Sequence, residues 1–426
     1  MTPIPRRLRT SPLLIALAAL IACLLPLGSA RAQFGMMGGA DANMMGQFKI
    51  ARSNLEGYAK LLGLDKDQSD AMLALHEGYT EQYEALTKGF QTDMEKIQEE
   101  FEDTQDITVF QKQMPKIGAA FGEKMESLEK GFLADLRALL TPQQDEQWPR
   151  IERMRLRESA LRFSMISGQG VDLVDVLGDL KIDAAANPDL TDQLGRYELD
   201  LDKTLKSFEK WGKDQQKQFL DDENAFDMSK MNEMMKKVEE MMKEMARLSM
   251  AIRDVNRQYA RTILPMLAGD TQDRFDQEVK RRSFPRVYKR SWVTKAVGSA
   301  GGFADLSGDQ QTQLAELRAA YERELAAAND RWAAAITEKE EKSGGSMMAM
   351  MQSMMGGGDA SQNDPVNEAR KARKDLDGRY KDKLNALLSG EQQARLPEDK
   401  REPRDQMNPM GMMTETDLEV ERDDGP

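Results

Sequence analysis

The feature that most constrains this chain is a set of apolar residues that returns twice at long intervals. Leu64, Met72, Tyr79, Tyr83 and Phe90 reappear 118 residues on as Ile182, Leu190, Tyr197, Leu201 and Phe208, and 242 residues on as Leu306, Leu314, Tyr321, Leu325 and Trp332. A second set, Leu128, Phe132, Leu136, Leu140 and Trp148, returns as Val255, Tyr259, Ile263, Leu267 and Phe275 and then as Leu376, Tyr380, Leu384, Leu388 and Leu396. Residue type kept in two separate arms at once points to one unit copied three times.

Each arm has the period of a helix. Met72, Leu75, Tyr79, Tyr83, Leu86, Phe90, Met94, Ile97 and Phe101 follow one another at steps of three and four, which average about 3.6 and lay a nearly straight stripe along one face. Such an arm is too long for a compact bundle and predicts an extended hairpin. With 6% aromatic and 31% charged residues, the composition also favours amphipathic helices over sheets. The expected fold is all-α: long helical hairpins in three tandem units.

The arms share a start signal. Leu140-Thr141-Pro142-Gln143-Gln144 puts an N-cap at Thr141, proline at the first helical position and a glutamine three residues on that can close a capping box. Leu64-Asp65 with Gln68, Leu306-Ser307 with Gln310, and Leu388-Ser389 with Gln392 repeat the device. The second unit lacks it: Ala186 stands for the opening glutamine, and Asn187-Pro188 is the alternative helix start.

The first 32 residues combine Arg6, Arg7 and Arg9, an apolar run from Leu13 to Leu27, and Ala30-Arg31-Ala32, the pattern of a secretory leader cut near Ala32. Cys23, the one cysteine, sits in a loose lipoprotein box; simple cleavage is the favoured reading and lipidation the alternative. The expected organisation is a signal peptide at 1–32, a Met/Gly leader at 33–46, helical units at 47–165, 166–298 and 299–397, and a disordered tail at 398–426; the third unit carries a Met/Gly-rich loop at 343–362. The mature protein is expected in the periplasm or outside the cell, with no integral membrane span.

Charge narrows the partners. The chain carries −13 overall, and loss of four leader arginines takes it to −17, which repels nucleic acid. No phosphate loop, nucleophile elbow or acid–base pair is found, so a non-enzymatic role without cofactor is expected. His76, the lone histidine, is read as structural, since zinc needs further nitrogen or sulfur ligands. The methionines of the 231–245 stripe are read as an apolar seam. Met347, Met348, Met350, Met351, Met354 and Met355 lie between glycines, and there three readings stay open: soft ligation of Cu(I), an adaptable apolar surface, or filler. Tyr79, Phe90, Tyr197, Phe208, Tyr321 and Trp332 are core residues by their place on the stripe, with a client surface as the alternative.

A leucine, a threonine or serine cap and a glutamine, set before a long helix and again at its return, resembles the LTxxQ family of Spy- and CpxP-like periplasmic proteins. The match is full at Leu140-Thr141-Gln144, near at Leu306-Ser307-Gln310 and Leu388-Ser389-Gln392, looser at Leu64-Asp65-Gln68 and lost in the second unit. The resemblance implies a helical, exported, non-enzymatic protein acting as an ATP-independent chaperone or envelope-stress protein. Its partners would be unfolded or misassembled envelope proteins. Metal response through the methionines and a structural or scaffolding role are the alternatives, and the oligomeric state is left open.

Overall fold

A computed structural model describes residues 49–106, 108–162, 164–221, 231–344 and 364–399. The expected signal peptide, the 33–46 leader, the six methionines from Met347 to Met355 and the tail beyond Asp399 lie outside the described residues. Every regular element among the described residues is helical. The fold is all-α.

Contacts divide the chain into two compact units, residues 1–161 with 198–241, and residues 162–197 with 242–426. Residues 166–298, the second expected unit, fall partly in each of the two.

In the first unit, α1 (Arg52–Leu62) ends where Gly63 turns left-handed at φ 61°, a conformation open to glycine without a Cβ penalty. The 39-residue α2 (Lys66–Thr104) follows, and α3 (Thr108–Ala138) returns along it. Then come the one-turn α4 (Pro142–Asp145) and α5 (Trp148–Ala160). The apolar stripe of α2 faces inward: Met72, Tyr79, Tyr83 and Phe90 join Phe121, Met125, Phe132 and Leu136 of α3, with Leu55, Tyr58 and Leu62 of α1 and Trp148 and Ile151 of α5. Nearer the hairpin tip, Ile97 packs on Val109. Each such large side chain removed from water contributes about 1.5–3 kcal/mol, against a few tenths for an exposed pair such as Lys130–Glu126 at 2.9 Å. Apolar burial therefore decides the pairing of the arms.

The second unit begins with α6 (Leu173–Asp179), followed by a 3₁₀ turn at Ala184–Ala186. The helix α7 (Pro188–Asp221) starts at the alternative signal, since Asn187 Oδ1 accepts from the amides of Asp189 and Leu190 at 3.1 and 3.2 Å. After α8 (Met231–Ile263) come α9 (Asp270–Ser283), the one-turn α10 (Pro285–Tyr288) and α11 (Trp292–Ala300). The hairpin of α12 (Gly308–Ser343) and α13 (Pro365–Leu387) closes the unit with the short α14 (Gly390–Gln393). Leu314, Tyr321 and Ala328 of α12 bury against Leu376, Tyr380 and Leu384 of α13 and Val293, Ala296, Val297 and Ala300 of α11. The helix α11 spans positions 298 and 299 of the expected boundary and packs on the third hairpin, and its N-cap Ser291 bonds Tyr321 at 2.5 Å.

Candidate functional site

The capping boxes lie at the bases of the hairpins, and there they meet. Asp65 and Thr141 each cap their own helix, accepting from the amides of Gln68 and Gln144 at 2.8 and 3.3 Å. In return each glutamine oxygen accepts from its cap residue's amide, at 3.1 Å for Asp65 and 3.0 Å for Thr141. The two side-chain amides then clasp each other: Gln68 Nε2 donates to Gln144 Oε1 at 2.8 Å, and Gln144 Nε2 to Gln68 Oε1 at 2.9 Å. Their remaining protons go to the carbonyl of Leu139 at 2.8 Å and that of Gly63 at 3.1 Å. Every donor of both primary amides is used, and the clasp holds together the ends of α1 and α3 and the starts of α2 and α4.

The third hairpin builds a similar base, with one glutamine-to-glutamine bond in place of two. Gln310 and Gln392 cap back to the amides of Ser307 and Ser389 at 3.0 and 2.9 Å. Gln310 Nε2 donates to Gln392 Oε1 at 3.1 Å and to the Leu387 carbonyl at 3.0 Å, while Gln392 Nε2 reaches the carbonyl of Asp305 at 3.3 Å. Arg395 Nη2 donates to both oxygens of the Asp305 carboxylate, at 2.6 and 2.7 Å, and holds it below its ordinary range. All twelve residues of the four leucine, cap and glutamine motifs therefore sit at two hairpin bases, where their polar atoms serve the fold.

The aromatic candidates lie deeper. Tyr79 OH accepts from the amide of Ile50, just ahead of α1, at 3.1 Å, and Tyr197 OH accepts from the amide of Leu173, which opens α6, at 3.1 Å. Tyr321 OH meets the N-cap of α11. In all three places the phenol reaches the start of the short helix that precedes its own long arm. Each ring also packs on the returning arm: Tyr79 on Phe132, Tyr197 on Tyr259 and Tyr321 on Tyr380, with centroids 5.2, 5.4 and 5.0 Å apart. Tyr79, Phe90, Tyr197, Phe208 and Tyr321 are all under 7% exposed. The alternative reading of these five as a client surface is corrected, because burying them is what joins the arms. Trp332 is half-buried.

Two polar arrangements carry no clear sign in the sequence. Tyr58 OH donates to Glu158 Oε2 at 2.7 Å, and Arg155 clamps Glu129 at 2.7 and 3.0 Å and Glu158 at 3.2 Å. Burial and the adjacent Glu158 push the Tyr58 phenol well above its usual range; Arg155 stays charged despite its burial because Glu129 and Glu158 surround it. In the third hairpin Tyr321 OH donates to Asp377 at 2.6 Å, Asp377 pairs with Arg373, and Arg373 Nε donates to Asn329 Oδ1 at 2.8 Å. A buried arginine needs such partners, yet only the packing reveals which carboxylates supply them.

His76 is buried, and its Nε2 stands 2.7 Å from the Ile50 carbonyl, so that nitrogen carries a proton and donates it. Val238, Met242 and Met245 of the α8 stripe are buried as a seam. Among the described residues no group of three or more His, Cys, Asp or Glu is placed to hold a metal ion, and no helix is long and apolar enough to cross a membrane. Compared with family models, curated proteins and solved structures, the chain finds no match.

Proposed function

We propose that this is an exported, non-enzymatic binding protein of the LTxxQ kind, built from three copies of one hairpin unit, which holds unfolded or misassembled envelope proteins without nucleotide. The observation that carries the reading is the clasp: two cap-and-glutamine motifs, far apart in sequence, close on each other at the base of one hairpin through Gln68 and Gln144, and again through Gln310 and Gln392. A base fixed this way lets long amphipathic arms extend from it, and such arms offer area rather than a pocket. The three tyrosine anchors support the copying of the unit, since unrelated hairpins have no reason to tie the same ring to the same neighbours. Arg6, Arg7 and Arg9, the apolar run and Ala30-Arg31-Ala32 support export.

With the aromatics committed to the core, the holding surface falls to the half-buried fringe of the arms: Leu73, Leu75, Leu86, Met94 and Leu133, flexible or branched side chains able to adapt to varied partners. The test is light scattering from a reduced, unfolding client mixed with residues 33–426 at sub-stoichiometric to equimolar ratios and no nucleotide. Suppressed aggregation is expected; unchanged scattering would end the chaperone reading. Exchanging Leu86 and Met94 for serine should weaken suppression while the helical content stays the same.

A further inference from the structure

We infer that the segment around α10 is a docking surface for the chain's own acidic C-terminal stretch, Glu415–Asp424. In this strongly acidic protein six basic residues, Lys280, Arg281, Arg282, Arg286, Lys289 and Arg290, fall within eleven positions that hold no acid. The first three are neutralised in place. Lys280 pairs with Asp276 at 2.9 Å, Arg281 with Glu278 at 2.7 Å, and Arg282 with Glu278 at 2.7 Å and Asp179 at 2.5 Å. Further along, Arg286 and Arg290 are exposed, and neither has an ion-pair partner among the described residues. Lys289 is exposed between them.

The exit of the chain lies beside this surface. Trp292, two residues after Arg290, donates from Nε1 to the Pro397 carbonyl at 2.9 Å, Lys381 Nζ sits over the Trp292 ring at 4.8 Å, and Lys381 also pairs with Asp399. Residues 400–426 follow, and among them Glu415, Asp417, Glu419, Glu421, Asp423 and Asp424 are interrupted by one base, Arg422. Eighteen residues lead from Pro397 to Glu415, a contour of at most about 60 Å, and two residues of backbone separate Trp292 from Arg290 by no more than roughly 7 Å. The contour of the chain therefore lets the acidic stretch reach two arginines that have no ion-pair partner among the described residues. Arginine forks bind carboxylates in pairs, and from Glu415 to Asp423 an acidic residue recurs at every second position.

Zero-length carbodiimide coupling of the full mature chain tests this directly, because it joins a lysine only to a carboxylate in contact. Lys289 should couple to carboxylates 415–424 at least fivefold more than the average exposed lysine. Arg286→Glu with Arg290→Glu, or 0.5 M salt, should cut that yield fivefold or more. Arg286→Gln with Arg290→Gln should cut it less, in the same direction, which guards against a misfolded reversal variant. A mixture of light and heavy chains should give couplings within one isotope. Yields spread evenly over the lysines, yields indifferent to charge reversal, or couplings that join light to heavy chains would each overturn the inference.

Discussion

The first and second hairpins solve the same problem at their bases with different side chains. In the first, Gln68 and Gln144 bond each other and reach the carbonyls of Leu139 and Gly63. In the second, Asn187 Nδ2 reaches the Met266 carbonyl at 3.3 Å, and Arg274 reaches the Leu180 carbonyl at 3.3 Å. The position of Met266 in its arm is that of Leu139, and Leu180 is one residue short of the position of Gly63. Both cross-links are thus present in a hairpin without the motif, but Asn187 and Arg274 are not bonded to each other among the described residues. The turns agree too: Leu64 N bonds Ala59 O at 3.0 Å and Ile182 N bonds Leu177 O at 2.9 Å, with Gly63 at φ 61° and Lys181 at φ 56° in the same left-handed place. What is kept is a set of backbone groups that must be satisfied at a helix end; the side chains that satisfy them can change.

The sharpest way to break this comparison is at the anchors. Tyr79→Ala, Tyr197→Ala and Tyr321→Ala should each cost about 3–5 kcal/mol, read from urea denaturation. A Tyr197 variant costing less than a third of the Tyr79 one would separate the second hairpin from the first. Next come the bases: Gln68→Ala or Gln144→Ala should cost about 1–3 kcal/mol, because each strands the partner amide and a carbonyl. Asn187→Ala should cost about 1 kcal/mol. A double-mutant cycle on Gln68 and Gln144 should give a coupling of about 0.5–2 kcal/mol, and zero coupling would mean the clasp is incidental.

Smaller effects sharpen the picture. Lys181→Gly should stabilise the protein by roughly 1 kcal/mol, since a side chain with a Cβ is strained at positive φ; no gain in denaturation midpoint would place the strain elsewhere. Burial and the bond to Asp377 push the Tyr321 phenol up to about 12 from 10.0, with Ser291 opposing. The folded state therefore holds this proton more tightly than the unfolded chain. Its contribution is complete below pH 10 and is lost as pH rises towards 12. Tyr321→Phe should flatten that part of the stability profile, measured by denaturation at stepped pH.

Much of the fold was legible because helices advertise themselves locally. The stripe from Met72 to Ile97 gave the inward face of α2, and Thr141-Pro142 with Gln144 gave the start of α4, through steric and hydrogen-bonding rules that act within one turn. The motif glutamines were legible only as caps. Their second bond, to a glutamine 76 or 82 residues away, has no local sign. The same holds for Arg155 with Glu129 and Glu158: sequence shows many charges, and only packing chooses those that become buried partners. The helix α11 was missed because Trp292–Ala300 is short and carries no glutamine, and its place with the third hairpin rests on Ser291 and Tyr321.

By itself, then, the sequence determined an all-α chain, the apolar faces of its long arms, and where several helices begin, since periodicity and capping are short-range. The tertiary structure alone decided that caps pair into clasps, that the recurrent tyrosines are anchors and not a surface, and that the chain divides into two compact units. The physical reason is that burial and side-chain pairing are long-range outcomes: a residue's type states what it can satisfy, and only the fold states what it meets.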